Sequence, residues 1–572
     1  INGSASNTVT ASYIRNPAGA GAFLDTGAIY TVISLSTMAV DAAGAAAIYF
    51  GNADSNTVTG SLALNPSGNA VFLDSGSEDN AVSQSTMVTA SASDSALRLF
   101  GASRNTVSGS YAQNQGGDAL SIMGGSNWNT VDRSTMVTNT GGANAAFLQD
   151  AERNTLTRSV FRGGLGRGIW IEQNANWNTV TLSSVTALDA TYTALILTGS
   201  SNTVSDSWIE NRDGIALRLY AVSGFVPTNN TIIRSTMTSR TTTESALQVD
   251  RASMTWVLDS YVQASTAVRV IGSTNTVFGG SVLVATNTAG SAIWMTDGSA
   301  RLTIATTSMR APDSGAGLRL EPGNSGVISL GSVTVSGAAR GLYIATMTAG
   351  YALAIDSITF RNLAPGSTAI HFLGGTFVST ITLAKFEDAS IGANVSGAAL
   401  DSASRVTMKA HYGGRTGPPF ENAPNSLVDW EGYINYAGCS VTKNVGAGEP
   451  FASITAALAD LLANNNPLIG HSCVVVRDAA TYGEQATVEG FTNNGSSISI
   501  FTDPAVGSRA VLDPPAASTA AFFIKNASVN IYGIDVKPTV QQAAYGVYAS
   551  SSYVRLSSVN VDSGGTIWMA GV

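Results

Sequence analysis

The chain is predicted to be all-β, a right-handed parallel β-helix solenoid, and three observations predict it. The first is a recurring Asn-Thr-Val string. It begins at Asn7, Asn56, Asn105, Asn129, Asn154, Asn178 and Asn202, with a weaker copy at Asn80 and loosened ones at Asn230 and Asn275. From Asn56 to Asn202 the steps are 24, 25, 24, 25, 24 and 24 residues, a period that marks one supersecondary unit stacked many times. The second is a short apolar run once per period, such as Ala70-Val71-Phe72-Leu73, Ala96-Leu97-Arg98-Leu99 and Gly168-Ile169-Trp170-Ile171. The third is what the period leaves out. It is too short for a propeller blade, has no Leu-x-x-Leu-x-Leu frame, and leaves no room for a crossover helix.

One coil shows why each element forms. Asn105-Thr106-Val107-Ser108-Gly109-Ser110-Tyr111 alternates polar and apolar residues, the pattern of a half-buried strand. A polar, Gly-rich run, Asn114 to Asp118, follows. Ala119-Leu120-Ser121-Ile122-Met123 is a second short strand, and Gly124-Gly125-Ser126 turns back to the next Asn. Successive coils are expected to pair in register about 4.8 Å apart. The recurring Asn would then occupy one turn in every coil, its amide bonding its stacked neighbours, helped by the tolerance of Asn for left-handed backbone. A finer rhythm overlies this one. Ser12, Ser61, Ser110 and Ser159 are 49 residues apart, interleaved with Ser36, Ser85, Ser134 and Ser183 at the same interval. The second series begins Ser-Thr-Met, so the repeating block is a pair of coils with an alternating core.

Three segments are expected: a parallel β-helix over 1–412, a Pro/Gly-rich module end or linker over 413–437, and a second β-helix over 438–572. A helix at Phe451–Leu462 opens the second module, its apolar face made by Phe451, Ile454, Leu458, Leu461 and Leu462, and Asn464-Asn465-Asn466-Pro467 stops it. Such a helix suits a lid over the end of the core. Both termini read as coils in mid-course, which suggests a segment of a longer chain with ends open to end-to-end self-association. Cys439 and Cys473 bracket the helix. A disulfide pinning the lid, buried thiols and redox chemistry are the readings open to them, and a disulfide implies an oxidising compartment.

Composition bounds the function. Of 572 residues only 12% are charged, about half the usual share. A net charge of −9 argues against nucleic-acid binding, which favours a basic face. No apolar run reaches membrane-spanning length. The histidines, His371, His411 and His471, are far apart in sequence. Trp128 and Trp177, each in Asn-Trp-Asn-Thr and 49 residues apart, belong on one edge two coils apart. There they either stack on a sugar or a partner protein, or cover the adjacent turn. Arg162 and Arg167 beside Glu172 form either an anionic-sugar contact or a solvated turn.

These residues resemble the parallel β-helix superfamily of pectate lyases, polygalacturonases, pectin methylesterases and phage tailspikes, and the tandem β-helix modules of large bacterial surface proteins. The coil signature covers most of 1–400. Phe451-x-x-Ile454-x-x-Ala457-Leu458, Thr481-Tyr482-Gly483-Glu484 and Ala486-Thr487-Val488 are similar to the opening of pectin-methylesterase-like domains. Fold alone does not carry function. The polygalacturonase strings Gly-His-Gly and Arg-Ile-Lys and the methylesterase string Leu-Gly-Arg-Pro-Trp do not occur. Tyr532-Gly533-Ile534-Asp535-Val536-Lys537 echoes the first half of an alginate-epimerase motif without its His. The expectation is therefore a non-catalytic structural or adhesive module, extracellular or at a bacterial surface, with no cofactor, no metal and no catalytic residue. Its partners would be carbohydrate or other surface proteins. The alternatives are a carbohydrate-active lyase, hydrolase or epimerase acting on acidic polysaccharide, and a filament subunit.

Overall fold

The computed structural model describes residues 1–345, 352–373, 378–386, 393–396, 405–408, 411–413, 420–421, 428–430, 439–503, 506, 508–539, 543–562 and 567–570. They fall into two compact units, Ile1–Tyr351 and Ala352–Val572. Most of the expected linker 413–437 lies outside the described residues.

The first unit is a right-handed parallel β-solenoid with three strands per coil. In the coil that opens at Asn105, the first strand is Thr106–Ser108, the second Tyr111–Asn114 and the third Leu120–Met123. Each pairs in parallel with its counterparts one coil before and one after. Val107 thus lies between Val82 and Val131, and Leu120 between Leu97 and Ala146.

Hydrogen-bonded side-chain ladders fix the corners. The backbone N and Nδ2 of Asn105 both donate to Asn129 Oδ1, at 2.8 and 3.2 Å. Asn129 repeats this on Asn154 (2.8 and 3.1 Å), and Asn154 on Asn178 (2.8 and 3.1 Å). All four are buried, so each amide satisfies backbone groups that water cannot reach. Thr31 fills the place missing between Asn7 and Asn56, its N donating to Asn56 Oδ1 at 2.8 Å. A second ladder runs parallel to the first. Ser85 N donates to Ser110 Oγ (3.2 Å), Ser110 N to Ser134 Oγ (3.1 Å) and Ser134 N to Ser159 Oγ (3.0 Å). The two 49-residue serine series therefore form one row. Behind it the core alternates large and small: Met87 faces Ala63 and Ala112, and Ala112 faces Met136.

Two expectations about the asparagines need correction. The left-handed residue at this corner is the one before the ladder Asn: Arg104 (φ 58°), Trp128 (61°), Arg153 (57°) and Trp177 (55°). The ladder Asn keeps its amide inward, so the unusual backbone falls on its solvent-facing neighbour. Asn275 (φ 54°) is itself such a corner residue. The ladder row passes from Asn230 through Thr255 to Thr276, because Thr231 pairs with Trp256 and Thr255 with Thr276.

In the second unit, residues 441–570 form another parallel stack of three sheets. Its helix spans Ile454–Asn464, with Ser453 as N-cap, its Oγ accepting from Ala456 N at 3.1 Å. Both oxygens of Glu484 also accept from the first turn, from Ile454 N (2.7 Å) and Thr455 N (2.8 Å), where the helix dipole favours an anion. Ile454, Ala457, Leu458 and Leu461 are buried in the apolar core of this stack, with Val474, Val488 and Ile500. The apolar face is as expected, but Phe451 precedes the helix. No described helix is long and apolar enough to cross a membrane.

Candidate functional site

The third strand of each coil carries the most distinctive surface. Leu97 and Leu99 of strand Leu97–Phe100 point into the core, so Arg98 between them must point out. The same outward position in successive coils is held by Phe23, Tyr49, Phe72, Arg98, Ser121, Phe147 and Trp170, each in register with the next. It continues through Ile196, Arg218, Gln248, Arg269, Trp294, Arg319 and Tyr343. Aromatic rings and guanidinium groups thus line one face in a single file. Neighbours in the file hold one another. Phe23 stacks on Tyr49 at 4.8 Å, Arg98 lies 5.2 Å from the Phe72 centroid, and Arg269 and Arg319 each lie 4.9 Å from that of Trp294. Ring contact alone leaves a cation its charge, but Arg218 is also ion-paired with Asp250 at 2.7 Å and Arg319 with Glu321 at 2.5 Å.

Ser121 interrupts the file. It is the one small residue between Arg98 and Phe147, so it forms the floor of a slot about 10 Å long, two coil steps of about 4.8 Å. The cleft there has a volume of ≈ 430 Å³ and includes Asp94, Ser95, Asp118, Asn144 and Trp170 in its walls. Gly116 in one wall packs against the preceding coil so closely that a Cβ there would come within 2.2 Å of Ala90 O.

The walls form a connected polar network. Asp118 Oδ1 accepts from Asn144 N (2.7 Å) and Nδ2 (2.9 Å), and Oδ2 from Ser121 Oγ (3.4 Å). Ser121 Oγ lies 2.6 Å from Ser95 Oγ. Asn69 links on, accepting from Ser95 N (3.0 Å) and donating to Asp94 Oδ1 (3.1 Å). Burial pushes the Asp118 carboxyl above its ordinary value against the opposing pull of the Asn144 bonds. Arg98 Nε, Asn144 Oδ1, Arg167 Nε and Trp170 Nε1 are buried with no hydrogen-bond partner in the protein. A buried unsatisfied polar atom is costly, and three of these belong to residues lining the slot, Arg98, Asn144 and Trp170. The slot can therefore hold a ring-sized polar group, stack it against an aromatic wall and present a carboxyl to it.

The residues singled out in the sequence are dispersed. Arg167 belongs to this face, its guanidinium 4.8 Å from the Trp170 centroid and 4.9 Å from that of Tyr192, with Nη1 donating to Gly142 O at 2.8 Å. Arg162 ends a second strand, Val160–Arg162. It lines a different cleft, with Glu210, Arg212 and Arg240. Trp128 and Trp177 are exposed, at 59% and 50%. Between them Arg153 lies 5.1 Å from both ring centroids, so a guanidinium fills the space that faces both rings. Cys439 and Cys473 are disulfide-linked, with Cα atoms 5.7 Å apart. His471 meets two hydroxyls, Ser497 Oγ at 2.7 Å and Ser499 Oγ at 2.9 Å. His371 pairs in register with Ser396, while the side chain of His411 lies outside the described residues. Asp535, from the Tyr-Gly-Ile-Asp string, is ion-paired with Arg509 at 3.1 Å.

The slot and its file were missed by reading strands only for their apolar frame. Their signal was present: the third residue of each Ala-Leu-x-Leu run, read down the column of repeats, gives the file directly.

Comparison with known proteins agrees with this architecture. A family model described as "Right handed beta helix region" matches residues 1–180. Among solved structures, the chain is similar to the tailspike of the E. coli bacteriophage HK620 (10% identity, 71% of each chain covered, TM-score 0.38). It is also similar to a periplasmic alginate epimerase (12% identity, 55% of this chain and 77% of that one, TM-score 0.32). A PL6-family alginate lyase matches over 99% of this chain and 97% of its own at 9% identity and a TM-score of 0.30. No curated protein matches the chain.

Proposed function

We propose that this chain is an extracellular carbohydrate-binding β-helix that takes an acidic polysaccharide along the outward file, seating one sugar in the slot above Ser121. The observation that carries the reading is the file itself: arginines and aromatic rings in register on one face of a chain with net charge −9. Aromatic faces stack on the apolar faces of sugar rings, and guanidinium groups bond carboxylate or sulfate. A strut has no need of such a surface. The adhesive part of the sequence reading is retained, and the purely structural part gives way to ligand binding.

Affinity electrophoresis through gels containing a polyuronate, with neutral dextran as control, tests it. Retardation in the polyuronate gel alone is expected, and it should weaken at least severalfold in Arg98→Ala and Trp170→Ala. Equal mobility in both gels would discard the proposal.

A second reading, a carbohydrate-active enzyme, is favoured by Asp118. A carboxyl whose pKa is raised by burial beside a ring-sized slot is suited to give a proton to a leaving oxygen. In that case a polyuronate incubated with the chain gains reducing ends or unsaturated products over time, and Asp118→Asn stops the reaction while binding persists.

A further inference from the structure

We infer that Cys439, His471 and Cys473 form a thiol-gated metal site: a disulfide when oxidised, and a ligand set for Zn²⁺ or a similarly soft divalent cation when reduced. The site lies in the second unit and is independent of the carbohydrate file. Both Sγ atoms and a ring nitrogen of His471 lie within 4.8 Å of one another. The strand pattern brings them together. His471 directly precedes strand Ser472–Val476, and Cys473 follows it at the second position. The neighbouring strand Val441–Val445 sets Thr442 opposite Cys473, which carries Cys439, three residues before Thr442, to the same edge.

A disulfide alone does not call for an oriented imidazole beside both sulfurs, yet this one is held from the next coil. Ser499 stands opposite Cys473, and Asn530 opposite Ser499. Ser497 and Ser499 bond the two ring nitrogens, and Asn530 Nδ2 donates to both hydroxyls, at 3.3 and 3.4 Å. One of these hydroxyls gives way when its nitrogen takes the metal, and the other then fixes the ligand's tautomer and plane, the usual outer-shell support of a metal-binding histidine. Phe501 and Val475 pack the cysteines with apolar surface, and His471 is the half-buried member through which a cation enters. Two thiolates and an imidazole suit Zn²⁺, with a fourth position left for water or a serine hydroxyl, and they discriminate against Ca²⁺ and Mg²⁺, which take oxygen.

The chemistry balances. An external dithiol gives two electrons and two protons as it closes to its own disulfide. The Sγ–Sγ bond breaks to two thiols, and the cation then displaces both thiol protons.

The test uses the full chain, reduced with dithiothreitol, desalted without oxygen and titrated with Co²⁺ as a spectroscopic probe. The reduced chain should take up one equivalent, with thiolate-to-cobalt charge-transfer and tetrahedral d–d bands that Zn²⁺ bleaches, whereas the oxidised chain should show neither. His471→Ala, which keeps the disulfide as a folding control, should weaken Co²⁺ binding at least about tenfold, and Cys473→Ser should abolish the charge-transfer band. The inference fails if the reduced, folded chain shows no such band, or if His471→Ala titrates like the wild type. It fails equally if reduction abolishes the native circular dichroism and Zn²⁺ does not restore it.

Discussion

Asp118 Oδ2 accepts from Ser121 Oγ at the floor of the slot. Asp118 is held above its ordinary value of 3.8 by burial. The folded chain therefore holds its proton more tightly than the unfolded one, and stability is lost as pH rises from that value through the raised pKa. Below it both states are protonated and there is no differential. Asp118→Asn removes the titration, so its stability relative to wild type should improve as pH rises above the ordinary carboxylate value, and denaturant midpoints at increasing pH check it. A constant difference would mean that the carboxyl titrates normally. Ser121→Phe should close the slot, as rings at Phe23, Tyr49 and Phe72 fill neighbouring places in the same file, but at a cost in stability, because Ser121 is buried and bonds Ser95 and Asp118. Polyuronate retardation should fall toward that of dextran while the chain stays folded, its stability lower by about 1–3 kcal/mol from overpacking at a buried site.

Within a coil, the ladders and the alternating core carry the stability. Asn129→Ala takes away the acceptor for Asn105 N and leaves a buried donor with no replacement. The expected loss is about 1–3 kcal/mol per orphaned group, measurable as a lower urea midpoint. The serine-row core makes a complementary case. Ala112 sits between Met87 and Met136, so Ala112→Met places three long side chains in line and should cost about 1–3 kcal/mol by overpacking. Met87→Ala should cost about 2–5 kcal/mol by opening a cavity. These elements were legible in the sequence because each ladder or core place is filled from every coil, and repetition exposes the rule. Where one coil departs, the string misleads. Asn275 looks like a ladder residue, yet register assigns the place to Thr276.

For the first unit as a whole, stacking turns a property of one residue per coil into a surface. In the file Arg218 and Arg319 are paired with Asp250 and Glu321, so attraction of a polyanion would rest on Arg98 and Arg269. Polyuronate binding should therefore weaken severalfold between low and physiological salt, since exposed charges are screened over about 8–10 Å at 0.1–0.15 M. A salt-independent affinity would show that stacking alone holds the ligand. The slot depends on the same arithmetic: Ser121 is unremarkable in its own coil and becomes a floor only because Arg98 and Phe147 stand on either side.

The solenoid, its period, the asparagine and serine rows, the short helix and the shortage of conventional catalytic strings are all readable from local periodicity and composition. Which side chains meet is set by the folded arrangement of the coils. It separated Arg162 from Arg167, set Arg153 between Trp128 and Trp177, gathered Asp118, Asn144 and Trp170 around one slot, and brought His471 beside the two cysteines. Those meetings depend on register between coils some 25 residues apart. A one-residue change in a turn resets that register while leaving the repeat legible.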